Sequence, residues 1–174
     1  MAILVCPLSR VLDQVRTHRP SRVVSLLDPG TQWPDVSQDG IDAHLKVGVH
    51  DILEPQAGCT DPQAHHVHEI LDFLRPWDQA APLLIHCYAG ISRSTATAFI
   101  AACLHNPDVE EIVLARALRS ASSSAHPNRR IVALADAALG RAGRMSQAIL
   151  AIGPGANWHE IGEAQPFAIA ARHG

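Results

Sequence analysis

The chain reads as a single α/β domain: a central, mostly parallel sheet of about four or five strands, flanked by helices and followed by a helical C-terminal part. Three observations predict this. Short apolar runs ending near Pro, Gly or Asp alternate with stretches of helical apolar spacing in the first half. After the third such run everything has helical character, which is the pattern of strands collected in one sheet with helices packed on it. A length of 174 residues suits one full core, since a domain of about 150 residues already buries roughly 70% of the surface of its unfolded chain.

Taken in order, residues 3–6 and 22–27 ("RVVSLL") are the first two strands, with a helix over 9–17 between them for which Ser9 is a candidate N-cap. The alternating "HLKVGVHD" at 44–51 is a further strand. A helix over 64–74 follows, with Val67, Ile70, Leu71 and Leu74 on one face. Residues 83–86 ("LLIH") form the next strand. The Ala-rich stretch 94–104 is helical, "DVEEIVLARALR" at 108–119 opens on an Asp cap with acids at its N-terminus, and "PNRRIVALADAALG" starts with Pro and ends with Gly. The core is expected over about 1–140. In 141–174, "MSQAILAI" is one more helix, "GPGANW" a turn and "PFAIAARHG" apolar enough to dock on the body.

Composition narrows the function classes. A formal charge of -3 gives no basic signal for nucleic acid or an acidic membrane surface. No run approaches the roughly 18 apolar residues of a membrane span, and the N-terminus lacks the basic region of a secretory signal. Cys6, Cys59, Cys87 and Cys103 form no C-x-x-C pair, so neither a zinc ribbon nor a disulfide framework is expected, and a reducing cytoplasm is the expected compartment. His65 and Glu69 are neighbours on a helix start, but no second ligand pair accompanies them, so no metal is expected.

The chemistry concentrates in "LLIHCYAGISRSTATA" at 83–98. A strand-to-helix turn of this length turns successive backbone N–H groups into one concavity, and the following helix adds partial positive charge, so a phosphate dianion fits there. Tyr88, Ala89, Gly90, Ile91 and Ser92 would supply those amides, with Gly90 taking backbone angles that side chains avoid. The same donors favour a thiolate at Cys87, the candidate nucleophile. Arg93 offers a planar fork for two phosphate oxygens, which lysine lacks. Ser94 is placed to donate to the Cys87 sulfur and help it depart as thiolate, and His86 to hold the loop through its ring nitrogens. The string H-C-x-x-G-x-x-R-S arises by chance in only about one chain in a hundred thousand of this length, so a buried Cys beside a surface Arg explains it poorly.

On these residues the chain resembles the cysteine-dependent protein phosphatases, most closely the compact dual-specificity type and its bacterial relatives. The resemblance is strongest over 83–98 and weaker over about 22–140. It implies a protein-tyrosine or dual-specificity phosphatase that works through a phosphocysteine intermediate without cofactor or metal. Substrates would be phosphorylated proteins or small phosphomonoesters, and a phosphate or sulfate ion would sit in the loop. It also implies that Asn128, in "HPNRR", braces the loop; an ordinary turn Asn is the alternative. No lysine lies within the loop, which disfavours highly phosphorylated substrates. The rival functions are a catalytically weak pseudophosphatase that binds phosphorylated partners, and a sulfurtransferase, which the His86 and Arg93-Ser94 framing suits less well.

Such an enzyme needs a general acid, worth about 10² to 10⁴ in rate. The candidates upstream of Cys87 are Asp35, Asp39, Asp42, Asp51, Glu54 and Asp61. In enzymes resembling this one the acid follows a strand, on a loop before the helix that leads to the cysteine strand; Asp51 fits that place. Asp61 comes second, with an N-cap role as its alternative, Pro62 being the first helical residue. Asp35 belongs to Trp33-Pro34-Asp35, whose letters match the acid loop of tyrosine-specific phosphatases. It comes one element too early, so "TQWPDV" is expected to connect two strands with Trp33 packed and Asp35 solvated. Cys59 lies in the loop after Asp51, where a protective disulfide with Cys87 is conceivable and a free thiol is the alternative.

Overall fold

The structure, a computed structural model, describes residues 1–41 and 43–173. Five strands form one sheet: β1 (Ala2–Pro7), β2 (Arg22–Leu27), β3 (Ala43–Gly48), β4 (Leu83–Cys87) and β5 (Phe167–Ala170). Their order is β3-β2-β4-β1-β5, parallel throughout except for β5, which runs antiparallel along β1. The expected α/β class and mostly parallel sheet are therefore present. Strand β4 is buried along its whole length and lies between β1 and β2, which is why it is a continuous apolar run and not an alternating one.

Helix α1 (Val11–His18) covers one face of the sheet, over a small core that includes Leu4, Val15, Val23 and Leu84. On the other face lie α2 (Ala64–Leu74), α3 (Arg93–His105), α4 (Glu111–Ala121), α5 (Arg129–Ala138) and α6 (Arg144–Ile152) around the larger core. Helix α3 is buried from Arg93 to Cys103 and sits in the middle; its Ala and Thr residues let sheet and helices approach it closely. Among the described residues no helix is long and apolar enough to cross a membrane.

Three local expectations are corrected. Ser9 does not cap α1: residues Leu8–Arg10 form a 3₁₀ turn, and the Ser9 hydroxyl donates to Glu163 at 2.8 Å. Asp108 does not cap α4, because a turn closed by Val109 N–H on Asn106 O occupies 106–109 and the helix starts at Glu111. Asp61 does not cap α2; Gln63 does, in a reciprocal box with His66, so Pro62 lies outside the helix. The last residues do more than dock, since Phe167–Ala170 complete the sheet as its fifth strand.

Candidate active site

In a sheet of parallel strands the carboxyl ends share one edge, and ligands bind in the crevice outside it. Here that edge gathers Cys87 at the end of β4, Asp28 just after β2, and Val49 to Asp51 just after β3. Cys87 lies opposite Pro7 in the β1–β4 register.

The turn from Cys87 to α3 is shaped by where its carbonyls point. Tyr88 O accepts from Leu8 N–H (3.0 Å), Ala89 O from Ala164 N–H (2.8 Å), Ile91 O from His126 N–H (2.9 Å) and Ser92 O from Asn128 N–H (3.3 Å). Three segments, around Leu8, Ala164 and His126–Asn128, thus hold these carbonyls outward. In a trans peptide the next residue's N–H points the opposite way, so the amides of Ala89, Gly90, Ser92 and Arg93 turn inward. Those of Ala89, Gly90 and Ser92 donate to no described residue. Inward amides at the start of a buried helix form an anion cradle.

Gly90 is required twice. Its φ is +73°, and a Cβ there would lie 2.8 Å from Pro7 N and 2.9 Å from Cys6 C, both backbone atoms. Gly90→Ala is expected to destabilise the fold by about 3 kcal/mol or more, of which left-handed strain supplies roughly 1–2. Gly58 has φ +78° with nothing within 4 Å of its Cβ position, so Gly58→Ala pays the strain alone. Urea denaturation of both variants checks this, and equal midpoint shifts would refute the clash.

Cys87 is buried, and its Sγ lies 3.1 Å from the Ser94 Oγ. His86 is also buried, which pulls its pKa down to about 4, so the ring is neutral at working pH. Its Nδ1 faces the Cys87 carbonyl at 3.4 Å and its Nε2 the Ser25 Oγ at 2.5 Å. A neutral ring that donates from Nδ1 must accept at Nε2, so the Ser25 hydroxyl donates to it and in turn accepts from His44 Nε2 at 2.7 Å. Burial also lowers the His44 pKa to about 4. The chain His44–Ser25–His86 thus fixes the peptide of the cysteine from behind.

Arg93 is buried, and one guanidinium nitrogen, Nη1, is doubly held: by the Asp28 carboxylate and by the Val49 carbonyl, each at 2.6 Å. Its Nε is buried without a partner among the described residues. An orphaned buried donor is costly, and an anion in the cradle is the kind of ligand that satisfies it.

Asp51 accepts two hydrogen bonds on one oxygen, Oδ1: from the Ser92 hydroxyl at 2.7 Å and from Asn128 Nδ2 at 2.8 Å. Ser92 stands at the N-cap position of α3 but its hydroxyl serves Asp51 instead of the helix. Asn128 caps α5, its Oδ1 accepting from Ile131 N–H, and its backbone N–H donates to the loop carbonyl of Ser92.

The other acids are engaged elsewhere. Asp35 is exposed and accepts from Ser37 N–H and Oγ, which holds its carboxyl below the usual range. Asp61 is locked to Arg130 and Gln63, each at 2.6 Å. Neither hydrogen-bonds to residues 86–94. Asp39 faces Arg16 at 3.6 Å, Glu54 is exposed, and Asp42 lies outside the described residues. All four cysteines are free thiols.

Three features escaped the sequence reading. Asp28 holds Arg93; the only hint is an Asp at the end of a strand that neighbours β4. Arg130 ties the loop after Asp51 together, donating to Leu53 O, Pro62 O and Asp61. Residues 153–166 return to the site: Ala164 bonds the cradle at Ala89, Ala156 N–H bonds Ser123 O, and Trp158 stacks on His126 with centroids 4.0 Å apart.

Neither a family model nor a curated protein matches the chain. Solved structures do. The human tyrosine phosphatase-like serine/threonine/tyrosine-interacting protein superposes with a TM-score of 0.60, covering 79% of this chain and 91% of its own at 16% identity. DUSP15 gives 0.57, with 84% and 89% covered at 18% identity. PTPMT1 gives 0.56, with 81% and 94% covered at 16% identity, and has also been solved in complex with PI(5)P. All three share the fold of this chain, that of the cysteine-phosphatase architecture. Within it, the fold of this chain is the compact dual-specificity one.

Proposed function

We propose that the chain is a phosphomonoester hydrolase, a protein-tyrosine or dual-specificity phosphatase that acts without a metal through a phosphocysteine intermediate. The observation that carries this reading is the inward-facing amide cradle closed around Cys87, with an unpartnered Nε of Arg93 beside it. Cys87 Sγ attacks phosphorus, forming the S–P bond as the P–O bond to the leaving group breaks. The Asp51 carboxyl gives its proton to the departing oxygen. Water then attacks phosphorus while the Asp51 carboxylate takes its proton, and the S–P bond breaks with its electron pair returning to sulfur. Ser94, 3.1 Å away, donates to the thiolate as it leaves.

Asp51 suits its role because Ser92 and Asn128 fix one oxygen, while Oδ2 accepts from no described residue. Purified protein is expected to hydrolyse p-nitrophenyl phosphate in the presence of a chelator. A general acid works only while protonated, so the high-pH limb of the rate profile depends on the group that plays this part. Asp51→Asn is expected to lower kcat about 10²-fold and to flatten that high-pH limb. Asp35→Asn leaves the profile unchanged. If Asp35→Asn flattens the limb and Asp51→Asn does not, Asp51 is not the acid.

A binding module without turnover is the second reading, and one structural neighbour bears the name phosphatase-like interacting protein. Against it, the nucleophile, the arginine, the hydroxyl and a tethered carboxylate are all present in this chain. Absence of turnover with retained phosphate binding would favour it.

A further inference from the structure

Asp51 and Ser92 line one recess, and on the phosphatase reading a leaving group beside Asp51 would rest its body on the walls of that recess. It measures about 110 Å³, and those walls include Leu53, Pro127, Arg129 and Trp158. Two further depressions, of about 290 and 440 Å³, open from the same side, and Arg129 lines all three. The result is a groove leading from the candidate site along the N-terminal end of α5 toward α6.

Two properties of this groove are unusual for the surface. Of the seven large apolar side chains exposed among the described residues, three border it: Leu53, Leu150 and Trp158. Arg129, exposed at the first position of α5, forms no ion pair among the described residues, whereas the adjacent Arg130 is fully used by Asp61, Pro62 and Leu53. An unneutralised cation between apolar patches, continuous with a phosphate site, matches a ligand that is anionic at one point and apolar at the next. A peptide side of a phosphorylated protein offers that pattern. A polyphosphorylated headgroup would need several free cations, and of the arginines lining these depressions only Arg129 is without an ion pair among the described residues.

We propose that this groove reads the peptide flanking a phosphotyrosine, taking an acidic side chain on Arg129 and an apolar one on Ile149 and Leu150, with the phosphotyrosine ring against Trp158. The proposal rests on the phosphatase reading and narrows its substrate class to phosphotyrosine in an acidic, apolar context.

The test measures kcat/KM for p-nitrophenyl phosphate, for short peptides with a central phosphotyrosine flanked by Glu and Leu or by Ala only, and for vesicles carrying phosphatidylinositol 5-phosphate. Wild type is expected to prefer the Glu/Leu peptide over the Ala peptide by about fivefold at low salt, the scale of one exposed charge pair plus an apolar contact. That preference should shrink as salt rises. It should fall toward unity in Arg129→Ala, persist in Arg129→Lys, and weaken in Leu150→Ala. Equal rates on the two peptides in wild type, a preference surviving Arg129→Ala, or vesicles turned over faster than either peptide would overturn it. Absence of p-nitrophenyl phosphate turnover would sink the phosphatase reading and this proposal with it; turnover of that ester without peptide preference sinks the groove alone.

Discussion

Replacing Cys87 with serine is expected to lower hydrolysis of an aryl phosphate by roughly 10⁴-fold or more, the scale on which removal of a covalent nucleophile acts. The substitution is close to isosteric at a buried site, so the cradle and the contact to Ser94 should persist. What is lost is the sulfur nucleophile. A serine hydroxyl needs a base to become a nucleophile, and the adjacent imidazole is already committed: His86 faces the Cys87 carbonyl and Ser25, and its lowered pKa of about 4 marks a weak base. Phosphate binding should therefore survive while turnover does not. Alkylation gives an independent check. Burial pushes the Cys6 and Cys103 thiols up to about 12, so neither competes for iodoacetamide at neutral pH. Modification that abolishes activity should be blocked by inorganic phosphate and map to Cys87. Cys59→Ser serves as the control, since Cys59 is a partly exposed free thiol in the loop after Asp51. Activity that survives Cys87→Ser would remove the covalent mechanism altogether.

The parts of the fold that could be read from the sequence are those whose cause is local. Residues 22–27 and 64–74 fold over the spans their apolar patterns mark, because one is a buried run and the other a stripe facing the core. Where a distant partner decides, the pattern failed. Ser9 looks like a cap until Glu163 takes its hydroxyl, and β5 becomes a strand only because the free edge of β1 is available across the domain. Asp61 resembles a cap or an acid until Arg130 claims it.

The site divides along the same line. Cys87, Arg93 and Ser94 could be read because one turn carries all three. Asp51 is a candidate from its place in the order of elements, and in the structure it accepts from Ser92 and Asn128. Asp28 is 65 residues from Arg93 and has no local signal of its own. The stretch 153–166 shows only turn and apolar residues, yet it supports the cradle at Ala89 and supplies Trp158. What a sequence conveys poorly is not the chemistry but the scaffold that aims it.

Arg93→Lys, with the charge retained, is expected to cost roughly 10³-fold in kcat/KM, because the proposed mechanism relies on the shape of the guanidinium and not on its charge alone. The Asp28 carboxylate and the Val49 carbonyl both grip Nη1. Held by that corner, the planar group keeps its Nε, buried and unpartnered, for the ligand. A lysine ammonium has a single nitrogen. It can stay with Asp28 and Val49 or turn to the phosphate, and either choice abandons a buried partner. The same geometry makes Asp28 a positioning residue with two opposed effects: it orients Arg93, and its charge repels the incoming dianion. About half of its side chain is exposed, which screens the repulsion, while the contact to Nη1 is short. Orientation should therefore win. Asp28→Ala is expected to lower kcat several-fold, and Asp28→Asn, which keeps an acceptor oxygen, to lose less. Steady-state kinetics of the three variants against pH decides. Asp28→Ala acting on KM alone would mean that repulsion dominates, and Arg93→Lys within tenfold of wild type would show that the fork geometry is not what the site requires.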